Sequence, residues 1–122
     1  MFLVGPGGGA DSANARELMC ITRQSSRRFL DKVAFVTTPG DNLSTLVSDM
    51  GIFEKRGGKE LILTGYIPNK KFSGPAEHIS NIKKNCGWDL QVASDVKATD
   101  PVTLDELLIL RLLDPQGFFI KE

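Results

Sequence analysis

The chain has 122 residues, which suits one small domain spanning 1–122 and burying roughly two thirds of its unfolded surface. Hydrophobic residues make up 41% and charged residues 25%, the balance of a soluble globular protein, and fifteen basic against fifteen acidic residues leave no net charge. That balance argues against a general affinity for nucleic acid or for an anionic membrane, both of which select basic faces; Arg23, Arg27 and Arg28 form the densest basic cluster.

In chain order, Phe2-Leu3-Val4 reads as the end of a buried strand that runs into the glycine loop Gly5-Pro6-Gly7-Gly8-Gly9-Ala10-Asp11. A strand at the very start implies that further chain precedes it in the natural protein. The segment 11–16 has room for a turn or two of helix. Leu18-Met19-Cys20-Ile21 reads as a short buried strand, being a continuous apolar run between polar residues. Residues 29–36 read as a helical turn entering a short strand at Ala34-Phe35-Val36, and 37–42 as loop. A central hairpin is expected from Leu46 to Phe53 and from Glu60 to Ile67, with a charged turn carrying Gly57 and Gly58 between them. Gly51 within its first strand marks a bulge or a close backbone approach.

Two helices are expected next. The first opens on Gly74 with Pro75 at the first helical position, where the missing N–H costs nothing. Ile79, Ile82 and Cys86 share one face, Glu77 and the pair Lys83 and Lys84 suit the dipole, and Gly87 reads as the stop. Trp88-Asp89-Leu90-Gln91-Val92 alternates as a short strand does. The second helix opens on the capping box Thr103-Leu104-Asp105-Glu106 and ends at Asp114-Pro115. Its leucines leave little polar face, so it is expected to be buried or to cover an interface.

Cys20 and Cys86 form neither a disulfide framework nor a metal-ligand spacing, and no metal site is expected. The start MFLVG is too short for a signal peptide, and no apolar stretch reaches the roughly 20 residues that span a bilayer. The expectation is a cytoplasmic protein with two reduced thiols.

The glycine loop is the sharpest chemical feature. Backbone without Cβ atoms admits close approach of a ligand, and successive N–H groups in such a turn converge on an anion; a tight turn with no ligand is the equal alternative. The spacing of Gly5, Gly7 and Ala10 fits a dinucleotide fingerprint only loosely, because no full crossover helix separates the loop from the next strand. His78 is the single histidine and, with no second ligand type nearby, reads as a surface residue. Trp88, Phe118 and Phe119 read as core or interface.

Residues 5–11 resemble the G-x-G-G-A-x-D loop of family I CoA-transferase beta subunits, with Gly9 in place of the usual alanine. Residues 27–40 resemble the glutaconate-type stretch R-R-F-V-E-K-x-D-F-V-T-S-P-G. Val47 to Phe53 resemble T-D-L-x-V-F, Asn85 to Val92 resemble T-G-F-D-L-x-V, and Leu108 to Phe119 resemble L-R-x-x-D-P-x-G. Five matches in order cover nearly the whole chain. The resemblance implies an α/β fold, the distal half of an open sheet with flanking helices and a central β-hairpin. It implies the C-terminal part of a beta subunit, whose partners are an alpha subunit and the missing N-terminal part of the beta subunit in an oligomer.

In that family a glutamate in an E-N-G-type motif attacks the acyl-CoA carbonyl and then carries CoA as a thioester, with the coenzyme A thioester as substrate and no permanently bound cofactor. The glycine loop supplies N–H groups to the oxyanion, a role that falls by position on Gly7, Gly8 and Gly9. This chain holds no E-N-G motif, and each of its six glutamates, Glu17, Glu54, Glu60, Glu77, Glu106 and Glu122, reads as structural. No catalytic residue is therefore assigned within it, and the chain alone is expected to be inactive. Arg27 and Arg28 are candidates for the CoA phosphates, against the alternative of a solvated or subunit-facing cluster. The rival functions are a CoA-thioester ring-opening hydrolase subunit and a non-catalytic truncated assembly module.

Overall fold

The computed structural model describes residues 8–58 and 60–118. The expected strand at Phe2-Leu3-Val4 lies outside them. A single five-stranded sheet runs in sequence order: β1 (Leu18–Thr22), β2 (Leu43–Ser48), β3 (Gly51–Glu54), β4 (Ile62–Tyr66) and β5 (Val92–Ala98). The outer pairs β1–β2 and β4–β5 are parallel and the inner pairs antiparallel. Parallel neighbours need crossovers. The first, 23–42, contains no regular element; the second carries a helix (Pro75–Lys84). The helices are α1 (Gly9–Ala13), α2 (Pro75–Lys84) and α3 (Leu104–Leu113). This is the expected α/β open sheet with a central hairpin.

The core lies on the α2 face of the sheet. Phe29, Leu46, Phe53, Leu63, Tyr66, Ile82 and Leu90 are buried together, with Cys20, Ile79, Cys86 and Trp88 packed against them. Phe29 stacks on Trp88 at 5.8 Å and meets Phe53 at 5.7 Å. Each fully buried side chain of this size contributes about 1.5–3 kcal/mol. The face predicted for α2 is the one that packs: Ile82 is buried, while Ile79 and Cys86 are partly so. Gly74 caps α2, and Pro75 is its first residue.

Burial raises the Cys86 thiol above its ordinary pKa, as expected for an unreactive packing residue.

The expected strand Leu46–Phe53 is two strands. Ser48 Oγ accepts the N–H groups of Met50 at 3.1 Å and Gly51 at 2.9 Å, and this reverses the chain between β2 and β3. The close approach expected at Gly51 is present. A Cβ there would stand 2.8 Å from the Gly65 carbonyl and 2.9 Å from Leu63 Cδ1. The β3–β4 connection turns at Gly57, whose φ is 74°. It is tied to β5 by Arg56, which holds both Asp95 oxygens at 2.7 and 2.8 Å. Both side chains are exposed, so this pair adds little stability.

Three other expectations are corrected. The first strand forms, but only one face of it is covered among the described residues: Met19 and Ile21 are 67% and 84% exposed, because strand side chains alternate and no described element covers the second face. No strand forms at Ala34-Phe35-Val36; the segment has no neighbouring strand to bond, and Phe35 and Val36 are exposed. The alternation at Trp88–Gln91 is not strand either. Pairing with β4 gives β5 its start at Val92.

The α3 capping box is present in full: Thr103 Oγ1 accepts from Glu106 N–H at 3.2 Å, and Glu106 Oε2 accepts from Thr103 N–H at 2.8 Å. The expected burial is not, since no α3 residue is buried and Leu104 and Leu112 are 70% and 80% exposed. An apolar helix with no described element packed over it keeps its leucines exposed. Gly87 serves packing in place of a left-handed cap. The helix already ends at Lys84, and a Cβ on Gly87 would stand 2.7 Å from the Phe29 carbonyl oxygen and 2.8 Å from Asp31 N.

Candidate functional site

Of the three glycines singled out in the loop, Gly7 lies outside the described residues. Gly8 is the N-cap of α1 and Gly9 its first residue. Gly8 sits at φ −70°, ψ −1°, a conformation open to any residue, and a Cβ added to it meets nothing within 4 Å among the described residues. No side chain among the described residues caps this helix start. The Gly8 carbonyl accepts from both Ser12 N–H and Ser12 Oγ, each at 3.0 Å.

The turn is held from beneath by the loop 37–42. Asn42 Nδ2 donates to the carbonyls of Ser12 at 2.8 Å and Ala15 at 2.9 Å, while Leu18 N–H donates to the Asn42 carbonyl at 2.9 Å. Asn42 thus joins the end of α1 to the start of β1 and β2. Lys55 Nζ in turn holds the carbonyls of Gly40 at 2.9 Å and Asp41 at 3.2 Å. Thr38, half-buried, lies directly against Gly9: its Oγ1 occupies the space where a Gly9 Cβ would stand. Thr38 and Asn42 are the residues that sequence reasoning missed. Their stretch reads correctly as a polar loop, but its contact with a glycine turn far earlier in the chain leaves no local signal.

Arg27 and Arg28 are exposed, and neither forms an ion pair with a carboxylate among the described residues. They follow the last residue of β1, whereas Gly8 and Gly9 precede its first, so the structure does not bring the two candidate groups together. The turn carrying the arginines is anchored by its neighbours. Phe29 is buried, and Gln24, also buried, donates from Nε2 to the Ile82 carbonyl at 2.9 Å. Gln24 N–H donates to Asp49 Oδ1 at 2.7 Å, and Ser48 Oγ donates to Gln24 Oε1 at 3.0 Å.

His78 is a correction: it is 8% exposed. Its Nε2 accepts the Asn69 N–H at 2.9 Å, which leaves Nδ1 to carry the proton donated to the Gly74 carbonyl at 2.8 Å. Tyr66 and Phe72 close over the ring at 4.9 and 5.1 Å. With both nitrogens used within the fold, His78 ties β4 and the following loop to α2 and is not free for metal or acid–base work. No group of histidine, cysteine and carboxylate side chains capable of holding a metal occurs among the described residues. No described helix is long and apolar enough to cross a membrane.

No protein-family profile matches the chain. It is 31% identical over 129 aligned positions to the beta subunit of the 3-oxoadipate CoA-transferase of Pseudomonas knackmussii, an alignment covering 92% of this chain and 47% of that protein. Its fold superposes on glutaconate coenzyme A-transferase from Acidaminococcus fermentans with a TM-score of 0.77 at 24% identity, covering 100% of this chain and 51% of the other. That likeness speaks for the fold. The decarboxylase AibA/AibB superposes with a TM-score of 0.71 at 28% identity, over 93% of this chain and 45% of that one. The chain spans about half the length of the relatives it matches.

Proposed function

From the premise that this chain is family I CoA-transferase beta-subunit-like over about half that subunit's length, we propose that it forms part of an enzyme moving CoA between an acyl-CoA and a carboxylic acid. The observation that carries the reading is the likeness to the 3-oxoadipate CoA-transferase across 92% of the chain. In the proposed reaction a glutamate carboxylate from outside this chain attacks the acyl-CoA carbonyl. The new C–O bond forms as the C–S bond breaks and the CoA thiolate leaves with the electron pair. The thiolate then attacks the glutamyl carbonyl of the resulting anhydride, releasing the acid and leaving CoA on the enzyme as a thioester. The acceptor acid reverses both steps.

This chain's part in the reading is to offer the glycine turn to the thioester oxygen, the role assigned to Gly7, Gly8 and Gly9, where backbone N–H groups stabilise developing charge. Arg27 and Arg28, exposed beyond the end of β1, are assigned the phosphates of CoA in this reading. Coenzyme A enters as substrate and no permanently bound cofactor is needed. The partners are an alpha subunit and the remainder of the beta subunit, and the exposed faces of α3 and β1 are where they would pack. The assembly works in the cytoplasm.

A second reading, decarboxylation, is favoured by the 28% identity to AibA/AibB. The test is to purify the assembly through a tag on this chain and incubate it with acetyl-CoA and a panel of acids headed by 3-oxoadipate and glutaconate. Appearance of the acceptor's CoA thioester supports transfer. Carbon dioxide release from a CoA-linked acid supports the second reading. Free CoA without a new thioester supports a hydrolase. No turnover at all, with the assembly intact, supports a non-catalytic module.

A further inference from the structure

The chain's single histidine, His78, is held by two backbone groups: the Asn69 N–H stands 2.9 Å from Nε2, and the Gly74 carbonyl 2.8 Å from Nδ1. A side-chain partner could turn to suit a charged ring; a backbone N–H and a backbone carbonyl cannot exchange roles. Only the neutral ring with its proton on Nδ1 satisfies both. A protonated ring donates from both nitrogens, and its Nε2–H would face the Asn69 N–H. At 8% exposure the ring has little water to turn to instead.

The bond to Asn69 holds the loop 67–73, which leads from β4 to α2. Among the described residues the loop's other hydrogen bonds lie within it or at its ends. Phe72 N–H donates to the Asn69 carbonyl at 3.1 Å and Lys71 N–H to Asn69 Oδ1 at 3.0 Å. At the ends, Ile67 N–H donates to the Met50 carbonyl at 2.9 Å and Ser73 N–H to Glu77 Oε2 at 2.7 Å. The middle of the loop is thus joined to another element through His78 alone. Asn69, Phe72 and His78 also wall a cavity of about 110 Å³, whose other side is Asp49 and Met50, following β2, and Asn81 of α2. The charged groups around the ring are Asp49, on that cavity, Glu77 beside it on α2, and Lys70 and Lys71 on the loop. Tyr66, at the end of β4, packs on the ring at 4.9 Å, and neither ring nitrogen bonds to any of these groups.

We propose that His78 is a pH-operated latch: protonation turns Nε2 from the acceptor of the Asn69 N–H into a second donor facing it, and the loop 67–73 comes away from α2. With the loop released, the cavity loses the wall that Asn69 and Phe72 supply. The device needs no substrate or cofactor and stands apart from the transfer reading. Histidine suits the part, since it is the side chain whose charge ordinarily changes between about pH 5 and 8.

The test is amide hydrogen exchange read by mass spectrometry on the intact assembly, from about pH 8 to about pH 5, as protection corrected for the intrinsic rate. Protonation of the ring is followed in the same samples by the slow exchange of its C2 hydrogen. Peptides spanning 67–73 are expected to lose about tenfold or more in protection, at the pH where the ring protonates, while those of β3 keep theirs. His78→Gln supplies an uncharged acceptor at the Nε2 position and is expected to show no pH step in the loop. His78→Phe keeps a ring without an acceptor, and its loop is expected to exchange at about pH 8 as the parent's does at about pH 5. Asp49→Asn and Glu77→Gln retain their acceptors for Gln24 N–H and Ser73 N–H and are expected to keep the parent's step. A loop still protected around a protonated ring would overturn the proposal, as would a ring that stays neutral down to about pH 5. So would a step that persists in His78→Gln or vanishes in either carboxylate variant. Should His78→Phe not fold, the parent titration and His78→Gln still decide.

Discussion

The buried carboxamide of Gln24 donates to the Ile82 carbonyl at 2.9 Å, joining the end of β1 to the last turns of α2. The same side chain accepts from Ser48 Oγ at 3.0 Å, and Ser48 in turn holds the β2–β3 reversal. One polar residue therefore links three elements that are distant in sequence. Gln24→Leu keeps the volume and removes both bonds, together with a longer one from Nε2 to the Asn85 carbonyl at 3.4 Å. Ile82 O retains Asn85 N–H, and Ser48 Oγ retains the Gly51 carbonyl, so neither is orphaned. The expected cost is about 1–3 kcal/mol, read in thermal unfolding as a fall in Tm on the order of 5–15 °C. An unchanged Tm would show that the hub is incidental.

Gly87 makes a contrasting case. Backbone atoms of Phe29 and Asp31 stand where its Cβ would be, and backbone cannot swing aside as a side-chain end does. Gly87→Ala is expected to cost about 1–3 kcal/mol through overpacking. Gly40→Ala, which meets open space, serves as the control and should change stability by less than about 0.5 kcal/mol. Equal melting temperatures for the two variants would contradict the packing role given to Gly87.

The α3 capping box has a pH signature. The Thr103 backbone N–H, and after it the Thr103 hydroxyl, hold the Glu106 carboxyl below its ordinary pKa. A depressed carboxylate adds stability that is present above its unfolded pKa and is lost as pH falls through the folded one. The helix start is thus expected to loosen only on acidification below the ordinary glutamate range. A carboxyl-detected titration should place Glu106 lower in the parent than in Thr103→Ala. Coincident midpoints would mean that the box is absent in solution.

Features encoded within a few residues were legible in the sequence. Gly74-Pro75 and Thr103 to Glu106 are local signals, and both helices begin where those signals stand. The β3–β4 hairpin carries its glycines on its face. What was not legible depends on partners far along the chain. The β2–β3 reversal has no Asn-Gly or Pro-Gly signature, since a serine hydroxyl makes it, so two strands read as one. Ala34-Phe35-Val36 has strand composition but no neighbour to pair with. His78 is polar by type and buried by context, because Asn69, Tyr66 and Phe72 converge on it from outside its helix. At the candidate site the glycine turn was visible as composition. Thr38 and Asn42 were not, because their role exists only once the loop 37–42 folds beneath α1.

Gly8 offers the most direct test of the central claim, that the glycine turn serves a thioester oxygen. Its φ of −70° suits any residue and its Cβ direction is open, so Gly8→Val is expected to fold as the parent does. A branched side chain there would still block the close approach of a ligand to the turn's N–H groups. The measurement is thioester exchange per folded molecule in the intact assembly, with Tm recorded on the same sample. The account predicts a fall of about a hundredfold or more in rate with Tm nearly unchanged. Full specific activity in a folded Gly8→Val assembly would contradict it and would leave the glycines as a turn and nothing more.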